Sequence, residues 1–568
     1  MMRHWVEQLT LFARTTRNLR LSQVFHRARL RVQRFPPDRP LASSVISLIP
    51  SKSRPPVGWP AAFTPLDLQL SEGCPTPEDN AEGRFEVLDE GRDLGRPASW
   101  DPRGVSRLWK YHLHYMEWAW SFSSHPNRSW ARQTFAELWR SWDDAAPFGR
   151  GDEWSPYTAS LRAWVLCGTY GSLVFGSDVQ RQVEASLDRH ARFLRFHLEH
   201  DVGGNHLVKN LKALIGLGVF LGEESLSKMA SRELERQLSI QVLSDGGHYE
   251  RSPSYHCQIL GDFIDIAALL ASAGRPAVPG LNRAIDAMRN WLGLILMPDG
   301  DVPLFNDCEL VGLHRLSLLR PGAPPTNRLT VLAASGYVVM RPDDRLHLVA
   351  DVGDPCPPDL PAHAHADCLS FELSVDGKRF VVDSGTSTYE PGEQRRHERS
   401  TAAHNTVSVD GADQSEVWGT FRVARMARGR LEQAEDDGDA ITVTASHDGY
   451  RRLPGSPVHR RRWDVLPSQV RITDQVVGEG EHRIESRLHL AGNDVGKVVW
   501  CGPADMRVDQ SPTRYATRFG YLHDGHTVSA EWRGLLPVTI GTELHFDNVL
   551  LQPCEASNEN AGQMNDTT

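Results

Sequence analysis

The spacing of apolar residues changes once along this chain, and the change coincides with a short segment rich in proline and glycine. Before that segment, apolar residues recur every three or four positions, as at Ala191, Leu194 and Leu198, which is the period of an amphipathic helix. After it, apolar and polar residues alternate, as in residues 369–375, which is the period of a strand. Residues 320–325 (RPGAPP) separate the two regions, because proline interrupts both helices and strands. The pattern therefore predicts an α+β multidomain chain with its helices first and its strands second.

These patterns divide the 568 residues into four predicted segments. A basic arm covers residues 1–50, a helical domain 51–320, an antiparallel β-domain 326–554 and a disordered polar tail 555–568. Many helices with short connections are typical of helical hairpins stacked in a bundle or toroid. In the β-domain, Asp376-Gly377 between two apolar runs predicts a tight hairpin, and the succession of strands indicates an antiparallel sandwich.

The charge balance limits the kind of partner. Lysine and arginine total 62 against 72 aspartate and glutamate residues, a net charge of −10, so we expect no nucleic-acid partner. No run of about 18 apolar residues predicts a transmembrane helix, and the N-terminal region has no apolar core of a secretory signal. We therefore expect a cytoplasmic protein, or a periplasmic one exported by a route that the sequence does not reveal.

The N-terminal arm differs in charge from the rest of the chain. Its first forty residues carry nine arginines against Glu7 and Asp38. We interpret the arm as an amphipathic helix that packs on the body of the protein through Trp5, Leu9 and Phe12, in preference to attachment to a membrane surface.

Four clusters combine polar residues of catalytic type with glycine, proline or small residues. Residues 203–206 (GGNH) and 245–256 (DGGHYERSPSYH) each precede a helical pattern, whereas residues 362–367 (AHAHAD) and 400–406 (STAAHNT) fall in the β-region. Each cluster also has a structural interpretation. Asn205 would be a helix cap, the tyrosines of the second cluster would be packing residues, and the H-x-H histidines would be ordinary exposed or buried side chains.

Histidine and aspartate in the β-region also suit a metal ion. His363 and His365 would face one side of an extended segment, because side chains repeat there with period two. Asp383 ends an apolar strand between the two clusters. Two imidazoles and one carboxylate are ligands that tetrahedral Zn²⁺ accepts. Because an H-x-H pair alone is weak evidence, the zinc and the structural interpretations both stay open.

Taken in order, the clusters resemble the motifs of the heparinase II/III-like polysaccharide lyases. The motifs that carry the resemblance are residues 204–207 (GNHL), 245–256, 303–307 (PLFND), 363–367 (HAHAD), 383–386 (DSGT) and 399–406 (RSTAAHNT). Upstream, residues 109–115 (WKYHLHY) and 154–162 (WSPYTASLR) resemble the N-terminal helices of the same family. Several motifs in a fixed order are more specific than any one of them, so the resemblance favours the functional interpretation of each cluster.

The resemblance implies an incomplete (α/α) toroid followed by an antiparallel β-sandwich, with an acidic polysaccharide in the cleft between them. It also implies β-elimination: a base removes the C5 proton of a uronic acid, the bond from C4 to the glycosidic oxygen breaks, and an unsaturated uronate remains. The expected substrate is a heparan-sulfate-like glycosaminoglycan, an alginate-like polymer or a bacterial exopolysaccharide.

The resemblance implies four catalytic residues. Asn205 would neutralise the uronate carboxylate, and Tyr255 would protonate the leaving oxygen and, for some epimers at C5, also act as the base. Either His206 or His363 would remove the C5 proton. Because an unperturbed phenol has a pKa of about 10, we expect neighbouring cations to lower the pKa of Tyr255.

Other residues are expected to bind the substrate or a metal. Arg251 and Arg399 are the expected cationic neighbours of the catalytic tyrosine. The predicted substrate-binding residues are Arg251, Glu250, His112, Tyr157, Arg162, Arg399 and Asn405. The resemblance also implies a structural zinc ion on His365, Asp383 and His404, which would support the segment of the catalytic histidine.

Two other functions remain as alternatives. A glycoside hydrolase on a similar helical toroid needs two carboxylates across the scissile bond, and Glu250 with Asp245 does not form the expected pattern. A non-catalytic glycan-binding protein of exopolysaccharide assembly is the second alternative, although the catalytic positions hold competent residue types. Nothing in the sequence predicts an oligomeric state.

An acidic chain that binds an acidic polymer needs a local positive charge. We expect arginines on both sides of His404 to supply it by lining the cleft. These are Arg395, Arg396 and Arg399 before it, with His397, and Arg422, Arg425, Arg428 and Arg430 after it.

Overall fold

The computed structural model describes residues 2–33, 44–46, 55–70, 76–324, 326–493 and 497–546. The predicted disordered tail, residues 555–568, lies outside these residues, and the predicted arm, residues 1–50, lies within them only in part. Among the described residues, no helix has the length and apolar character needed to cross a membrane.

The first part of the chain is helical, as the spacing of its apolar residues predicts. The helical patterns at residues 210–221 and 259–270 fall in α10 and α12 as numbered here. The α-helices are α1 (Met2–Arg17), α2 (Leu21–Gln33), α3 (Leu66–Gln69), α4 (Pro77–Ala81), α5 (Arg107–Tyr115), α6 (Ala119–Ser124), α7 (Arg128–Ala145), α8 (Pro156–Thr169), α9 (Gln180–Phe196), α10 (Gly204–Phe220), α11 (Glu224–Gln241), α12 (Pro253–Ser272), α13 (Leu281–Ile295), α14 (Leu313–Leu319) and α15 (Glu393–Glu398).

The helical region has one large apolar core. Helices α8, α10 and α12 are buried around most of their circumference, which is why their sequences are apolar on more than one face. Tryptophan fills much of the remaining volume, and the side chains of Trp109, Trp139, Trp142 and Trp291 are fully enclosed.

The second part of the chain consists of antiparallel strands, as the alternating pattern predicts. The strands are β1 (Arg84–Val87) and β2 (Glu90–Asp93) in the helical region, then β3 (Leu329–Leu332), β4 (Tyr337–Met340), β5 (Leu346–Asp351), β6 (Phe371–Val375), β7 (Lys378–Val381), β8 (Val407–Val409), β9 (Val417–Trp418), β10 (Arg422–Val423), β11 (Gly429–Asp436), β12 (Ile441–His447), β13 (Val458–Val465), β14 (Gln469–Val477), β15 (Glu481–Leu490), β16 (Val498–Cys501), β17 (Arg507–Arg518), β18 (Tyr521–Leu535) and β19 (Val538–His545). The predicted hairpin between β6 and β7 is confirmed, since Asp376 and Gly377 both have positive φ, 49° and 79°.

Most of these strands form two antiparallel sheets. The larger, of nine strands, has the order β17-β18-β15-β7-β6-β5-β4-β3, with β8 also paired to β15. The smaller, of six strands, has the order β11-β12-β13-β14-β19-β16. One apolar cluster contains Phe371 and Leu373 of the larger sheet together with Trp463 and Ile472 of the smaller one. The two sheets therefore share a core.

Strands β4 and β5 form the layer between that core and the helices. Tyr337, Val339 and Val349 belong to the apolar cluster of the helical region, whereas Val338 and Leu348 belong to the cluster between the sheets. All residues of both strands are buried. Burial on both faces explains why β4 is a continuous apolar run instead of an alternating one.

The expected packing of the N-terminal arm is wrong. Trp5, Leu9 and Phe12 of α1 are 65 %, 64 % and 53 % exposed. The arm contacts the body mainly through polar side chains, as in the ion pair between Arg14 and Glu416 at 2.7 Å. The physical reason is that the body offers carboxylates and carbonyl oxygens to this helix, which pair with its basic face.

Candidate active site

Side chains from the two halves of the chain meet where the helices adjoin the larger sheet. Asn205 lies in the first turn of α10 and Tyr255 in the first turn of α12, whereas His363 lies between β5 and β6. The Asn205 amide nitrogen is 3.5 Å from Nε2 of His363, 158 positions away in the chain. The ring centroids of Tyr255 and His363 are 3.9 Å apart. The structure therefore brings three of the four predicted catalytic residues together.

Two glycines make the entry into α10 possible. Gly203 and Gly204 have φ values of 77° and 54°, a conformation that glycine adopts without a steric penalty. A Cβ atom on Gly204 would lie only 1.9 Å from Oε1 of Glu250. The same Oε1 accepts a hydrogen bond from the backbone N–H of Asn205 at 2.7 Å. The interpretation of Asn205 as the helix cap is wrong, because Gly203 occupies that position and Asn205 points to Glu250.

Glu250 is a buried carboxylate that positions the amide of Asn205. Its Oε2 accepts a hydrogen bond from Asn205 Nδ2 at 3.0 Å and lies 3.5 Å from Nε2 of His363. Burial opposes ionisation, but the neighbouring His248 and His363 and the hydrogen bonds from Asn205 outweigh it and lower the pKa of Glu250. The structure thus places Glu250 beside the predicted catalytic residues Asn205 and His363, and its contacts are to protein groups.

Asp307 is a second buried carboxylate on the other side of His363. Its Oδ2 accepts hydrogen bonds from Nη2 of Arg395 at 2.8 Å and from Nδ1 of His363 at 3.1 Å, and its Oδ1 lies 2.9 Å from Nε2 of His365. Burial opposes ionisation, but the Arg395 guanidinium outweighs it and holds the pKa of Asp307 well below its usual range. The sequence signal for this residue is modest: it ends the motif at residues 303–307, two positions after the apolar pair Leu304-Phe305.

The contact with Asp307 determines which nitrogen of His363 exchanges protons. An ionised carboxylate only accepts hydrogen bonds, so Nδ1 of His363 must carry a hydrogen. Proton exchange is then left to Nε2 of His363, which lies beside Asn205 and Glu250. This is the arrangement of an oriented acid–base histidine.

The phenol of Tyr255 has a different environment from the one expected. Its hydroxyl oxygen is 3.1 Å from the hydroxyl oxygen of Tyr389, a residue that sequence reasoning missed. Burial raises the pKa of Tyr255. The expectation of a lowered phenol pKa is therefore wrong for this structure.

The two arginines expected beside Tyr255 are engaged elsewhere. Arg251 has φ of 57° and its guanidinium donates to the backbone carbonyl of Asp354. Arg399 is buried, and its Nη2 donates to the carbonyl oxygen of Ala364 at 3.0 Å. Both side chains support loops of the β-region, and neither offsets the effect of burial on the phenol.

His206, the fourth predicted catalytic residue, lies on the helical side of the site. Its Nδ1 is 3.2 Å from Oε1 of Glu199, and its ring centroid is 4.4 Å from that of Tyr157. Burial disfavours the charged form, but the Glu199 carboxylate outweighs burial and raises the pKa of His206. The Glu199 carboxylate thus makes His206 easier to protonate than a free imidazole.

Aromatic rings extend from His206 along the helices. Tyr157 is 5.9 Å from Tyr115 between ring centroids, and Tyr115 is 4.7 Å from His112. The structure therefore places the predicted binding residues Tyr157 and His112 in one row. Tyr115 is the member of the row that sequence reasoning missed, although it ends the motif at residues 109–115.

Two predicted substrate-binding residues are enclosed in the protein interior. The Arg162 guanidinium lies 4.5 Å from the ring centroid of Trp142 and donates to Nε2 of His190 at 3.1 Å. Asn405 donates to the carbonyl oxygens of Phe371 and Val382, each at 2.9 Å. Both polar side chains satisfy internal groups, so the structure does not place them at the site.

Four of the seven arginines expected to line the cleft form ion pairs with carboxylates. Arg395 is bound to Asp307, and other members of the set pair with carboxylates: Arg396 with Glu393 at 3.9 Å, Arg425 with Glu416 at 3.8 Å, and Arg428 with Asp354 at 2.7 Å. The arginine-rich sequence around His404 therefore does not by itself produce a positive cleft.

The three predicted zinc ligands lie near one another in the β-region. Nδ1 of His404 is 2.8 Å from Oδ2 of Asp383, and the rings of His365 and His404 are 5.3 Å apart. The second ring nitrogen of each histidine is buried without a hydrogen-bond partner. Unpaired imidazole nitrogens are the kind of donor that a metal ion binds. In the described residues, however, no three or more histidine, cysteine, aspartate or glutamate side chains lie close enough together to hold a metal ion.

Family models match the chain on both sides of the Pro/Gly segment. The Heparinase II/III N-terminus matches residues 99–317, and the Heparinase II/III-like, C-terminal model matches residues 324–534. The chain belongs to the heparinase II/III-like family, which confirms the resemblance drawn from the motifs.

The individual proteins that this chain resembles in sequence include both lyases and a protein named for its localisation with FtsZ. A heparin-sulfate lyase of Bacteroides stercoris is 28 % identical over 328 residues, 51 % of this chain and 46 % of that protein. The FtsZ-localized protein C of Caulobacter vibrioides is 28 % identical over 262 residues, 44 % of this chain and 45 % of that protein. The chain spans about half the length of the curated relatives that it matches.

Solved structures share the fold at low sequence identity. A crystal structure of heparinase III aligns with a TM-score of 0.71 at 17 % identity and covers 89 % of both chains. A chondroitin AC lyase of Streptomyces coelicolor A3 aligns with a TM-score of 0.51 at 13 % identity and covers 77 % of this chain and 74 % of that one. These likenesses support the α+β architecture.

The close approach of Glu250 to Gly204 predicts a cost for a side chain at this position. We expect Gly204→Ala to lower the free energy of unfolding by about 1–3 kcal/mol more than Gly274→Ala does, the usual cost of overpacking. The measurement is the shift in the urea midpoint of each variant.

Gly274→Ala is the matched control for this prediction. Gly274 has a similar positive φ, 61°, but its Cβ would meet no atom within 4 Å. Equal midpoints for the two variants would contradict the steric role of Gly204.

Proposed function

We propose that this protein is a polysaccharide lyase that cleaves a uronic-acid-containing acidic polysaccharide by β-elimination. The observation that carries the proposal is the convergence of Asn205, Tyr255 and His363, with His363 oriented by Asp307. The helices as an incomplete (α/α) toroid and the sheets as a β-sandwich are part of the same proposal. Heparan-sulfate-like, alginate-like and bacterial exopolysaccharide chains are the candidate substrates.

Nε2 of His363 is the proposed base. It takes the C5 proton, and the two electrons of the C5–H bond form the double bond between C4 and C5 as the bond from C4 to the glycosidic oxygen breaks. Removing this proton is difficult because negative charge develops on the adjacent uronate carboxylate. The Asn205 amide, held by Glu250, has a second N–H that lies near Nε2 of His363 in this structure and would donate to the uronate carboxylate in its place when substrate binds.

Tyr255 is the proposed acid. Because burial raises its pKa, the phenol carries its proton at neutral pH and can transfer it to the leaving glycosidic oxygen. Solvent then returns a proton to Tyr255 and accepts the one on His363, so the cycle is closed. The raised pKa favours the acid role of Tyr255 over the base role that some substrate epimers would require.

Binding of the polymer is assigned to the helical side. His206, when protonated, would pair with an anionic group of the substrate. The rings of Tyr157 and His112 would contact sugar rings, and the buried Tyr115 would pack between them. In this proposal His206 supplies positive charge for the acidic polymer, because most of the arginines around His404 are paired with carboxylates.

The two alternatives are less well supported by the contacts. A hydrolase needs two carboxylates placed across the scissile bond. Glu250 is bound to Asn205, and Asp245 accepts hydrogen bonds from the backbone N–H groups of Ser335 at 2.7 Å and Gly247 at 3.0 Å. Both carboxylates thus position protein groups. A non-catalytic glycan-binding protein would not need the contact between His363 and Asp307.

The proposed activity predicts a chromophore in the product. Incubation with heparan sulfate, hyaluronan, alginate and bacterial exopolysaccharides should raise the ultraviolet absorbance of the unsaturated uronate for at least one polymer. New reducing ends without absorbance would favour the hydrolase, and polymer binding without either product would favour the non-catalytic protein.

The Tyr255→Phe variant tests the proposed acid in the same assay. It should lower kcat at least about 10²-fold while KM changes little, because it removes a proton donor. The matched Tyr521→Phe variant alters an exposed tyrosine of β18 and should leave kcat unchanged. Equal kcat values for the two variants would remove Tyr255 from the mechanism.

We also propose that His365, Asp383 and His404 hold a structural zinc ion. When bound, the ion would fix the segment that carries His363. The unpartnered ring nitrogens of His365 and His404 support this proposal.

The zinc proposal predicts about one zinc per chain in protein purified without chelator, and a lower melting temperature after chelation. His365→Ala should lower the zinc content, because it removes one of the three proposed ligands. His347→Ala, which changes another buried histidine of the larger sheet, should leave zinc content unchanged. Absence of zinc together with an unchanged melting temperature after zinc addition would refute the site.

A further inference from the structure

The N-terminal helices connect the two halves of the protein through their polar side chains. Arg20 pairs with Asp359 at 2.9 Å, and Gln23 donates to the carbonyl oxygen of the same residue at 3.0 Å, both in the β-region. On the helical side, Arg29 donates to the carbonyl oxygen of Phe196 at 3.0 Å. Helices α1 and α2 therefore lie across the boundary between the halves, with a polar face turned inward.

This orientation leaves an apolar face directed outward. Eight of the nineteen large apolar side chains that are exposed in the described residues lie in α1 and α2. They are Trp5, Val6, Leu9, Phe12, Leu21, Val24, Phe25 and Val32. We call these eight residues the arm face. Monomeric proteins rarely leave large apolar side chains concentrated in this way without a binding partner.

Positive charge accompanies the arm face. Residues 2–33 contain seven arginines and a single acidic residue, Glu7. Arg14, Arg20 and Arg27 pair with carboxylates of the body. Arg17 and Arg31 are exposed next to the apolar residues. Helices with aromatic and aliphatic residues on one side and arginines around them are typical of segments that lie in the interface of a lipid bilayer.

We propose that the arm face is a docking surface for an anionic lipid bilayer. Its apolar side chains would enter the boundary between headgroups and acyl chains, and the arginines would contact lipid phosphates. A second arm is a poorer partner, because two segments of the same strong positive charge repel each other. The acidic body of a second copy could pair with the arginines, but its exposed apolar residues are spread over the chain and would not cover the arm face.

Docking through the arm would place one end of the candidate site near the bilayer. The arm contacts Asp359, and the next residue, Leu360, packs against Gly204, where a Cβ atom would be 2.6 Å from its side chain. Gly204 directly precedes Asn205. The proposal does not depend on catalysis, so it can be tested whether or not the protein is a lyase.

The test is co-sedimentation of the full chain with vesicles. We expect binding to phosphatidylcholine vesicles that contain phosphatidylglycerol to exceed binding to pure phosphatidylcholine by at least about tenfold at low salt. The triple variant Trp5→Glu, Leu9→Glu, Phe12→Glu should reduce binding to the anionic vesicles by at least about tenfold. A control variant that combines Phe175→Glu, Leu313→Glu and Leu535→Glu adds the same three negative charges at exposed apolar residues elsewhere and should bind like the wild type.

Light scattering and thermal melting separate lipid binding from self-association and from loss of folding. Wild-type and triple variant should have the same melting temperature within the error, because the substituted residues are exposed. Failure of the wild type to bind anionic vesicles, or equal binding by the triple variant, would overturn the proposal. A triple variant that changes the oligomeric mass without changing vesicle binding would assign the arm face to a second copy of the chain instead.

Discussion

The buried carboxylate of Asp307 is the contact on which the arrangement of the site depends. It binds the guanidinium of Arg395 and the imidazole of His363, and its backbone N–H donates to the carbonyl oxygen of His363 at 3.0 Å. The Asp307 carbonyl oxygen accepts from Oγ of Ser252, immediately before α12, at 2.6 Å. Removing one partner of a buried ion pair typically costs about 3–5 kcal/mol. One residue thus fixes elements of both halves of the chain.

Local periodicity is sufficient to predict the order of helices and strands, but not how the layers contact one another. The alternation at residues 369–375 and the turn at Asp376-Gly377 are local signals, and both correspond to β6, β7 and their hairpin. The continuous apolar run of β4 indicates that both faces of the strand are buried. It does not indicate that helices cover one face and the smaller sheet the other. Likewise, the amphipathic arm reveals which residues are apolar, whereas its orientation depends on pairs such as Arg14 with Glu416, 402 positions apart.

For the site, motifs predict which residues carry chemistry, but their partners and environments require the fold. Asn205, Tyr255 and His363 are identifiable from motifs and meet in space. The sequence shows the positive charge of Arg395 but not its partner, so Arg395 is expected to attract substrate. Its actual partner, Asp307, lies 88 positions away in the chain. The direction of the phenol pKa shift is wrongly predicted for the same reason, since burial is a property of the assembled layers.

The central claim is that Asp307 fixes the proton on Nδ1 of His363 and leaves Nε2 for chemistry. The most direct measurement is ¹⁵N nuclear magnetic resonance of the imidazole nitrogens, with the His363 signals assigned by their loss in His363→Gln. We predict that neutral His363 in the wild-type protein carries its hydrogen on Nδ1. A neutral His363 with its hydrogen on Nε2 would contradict this claim.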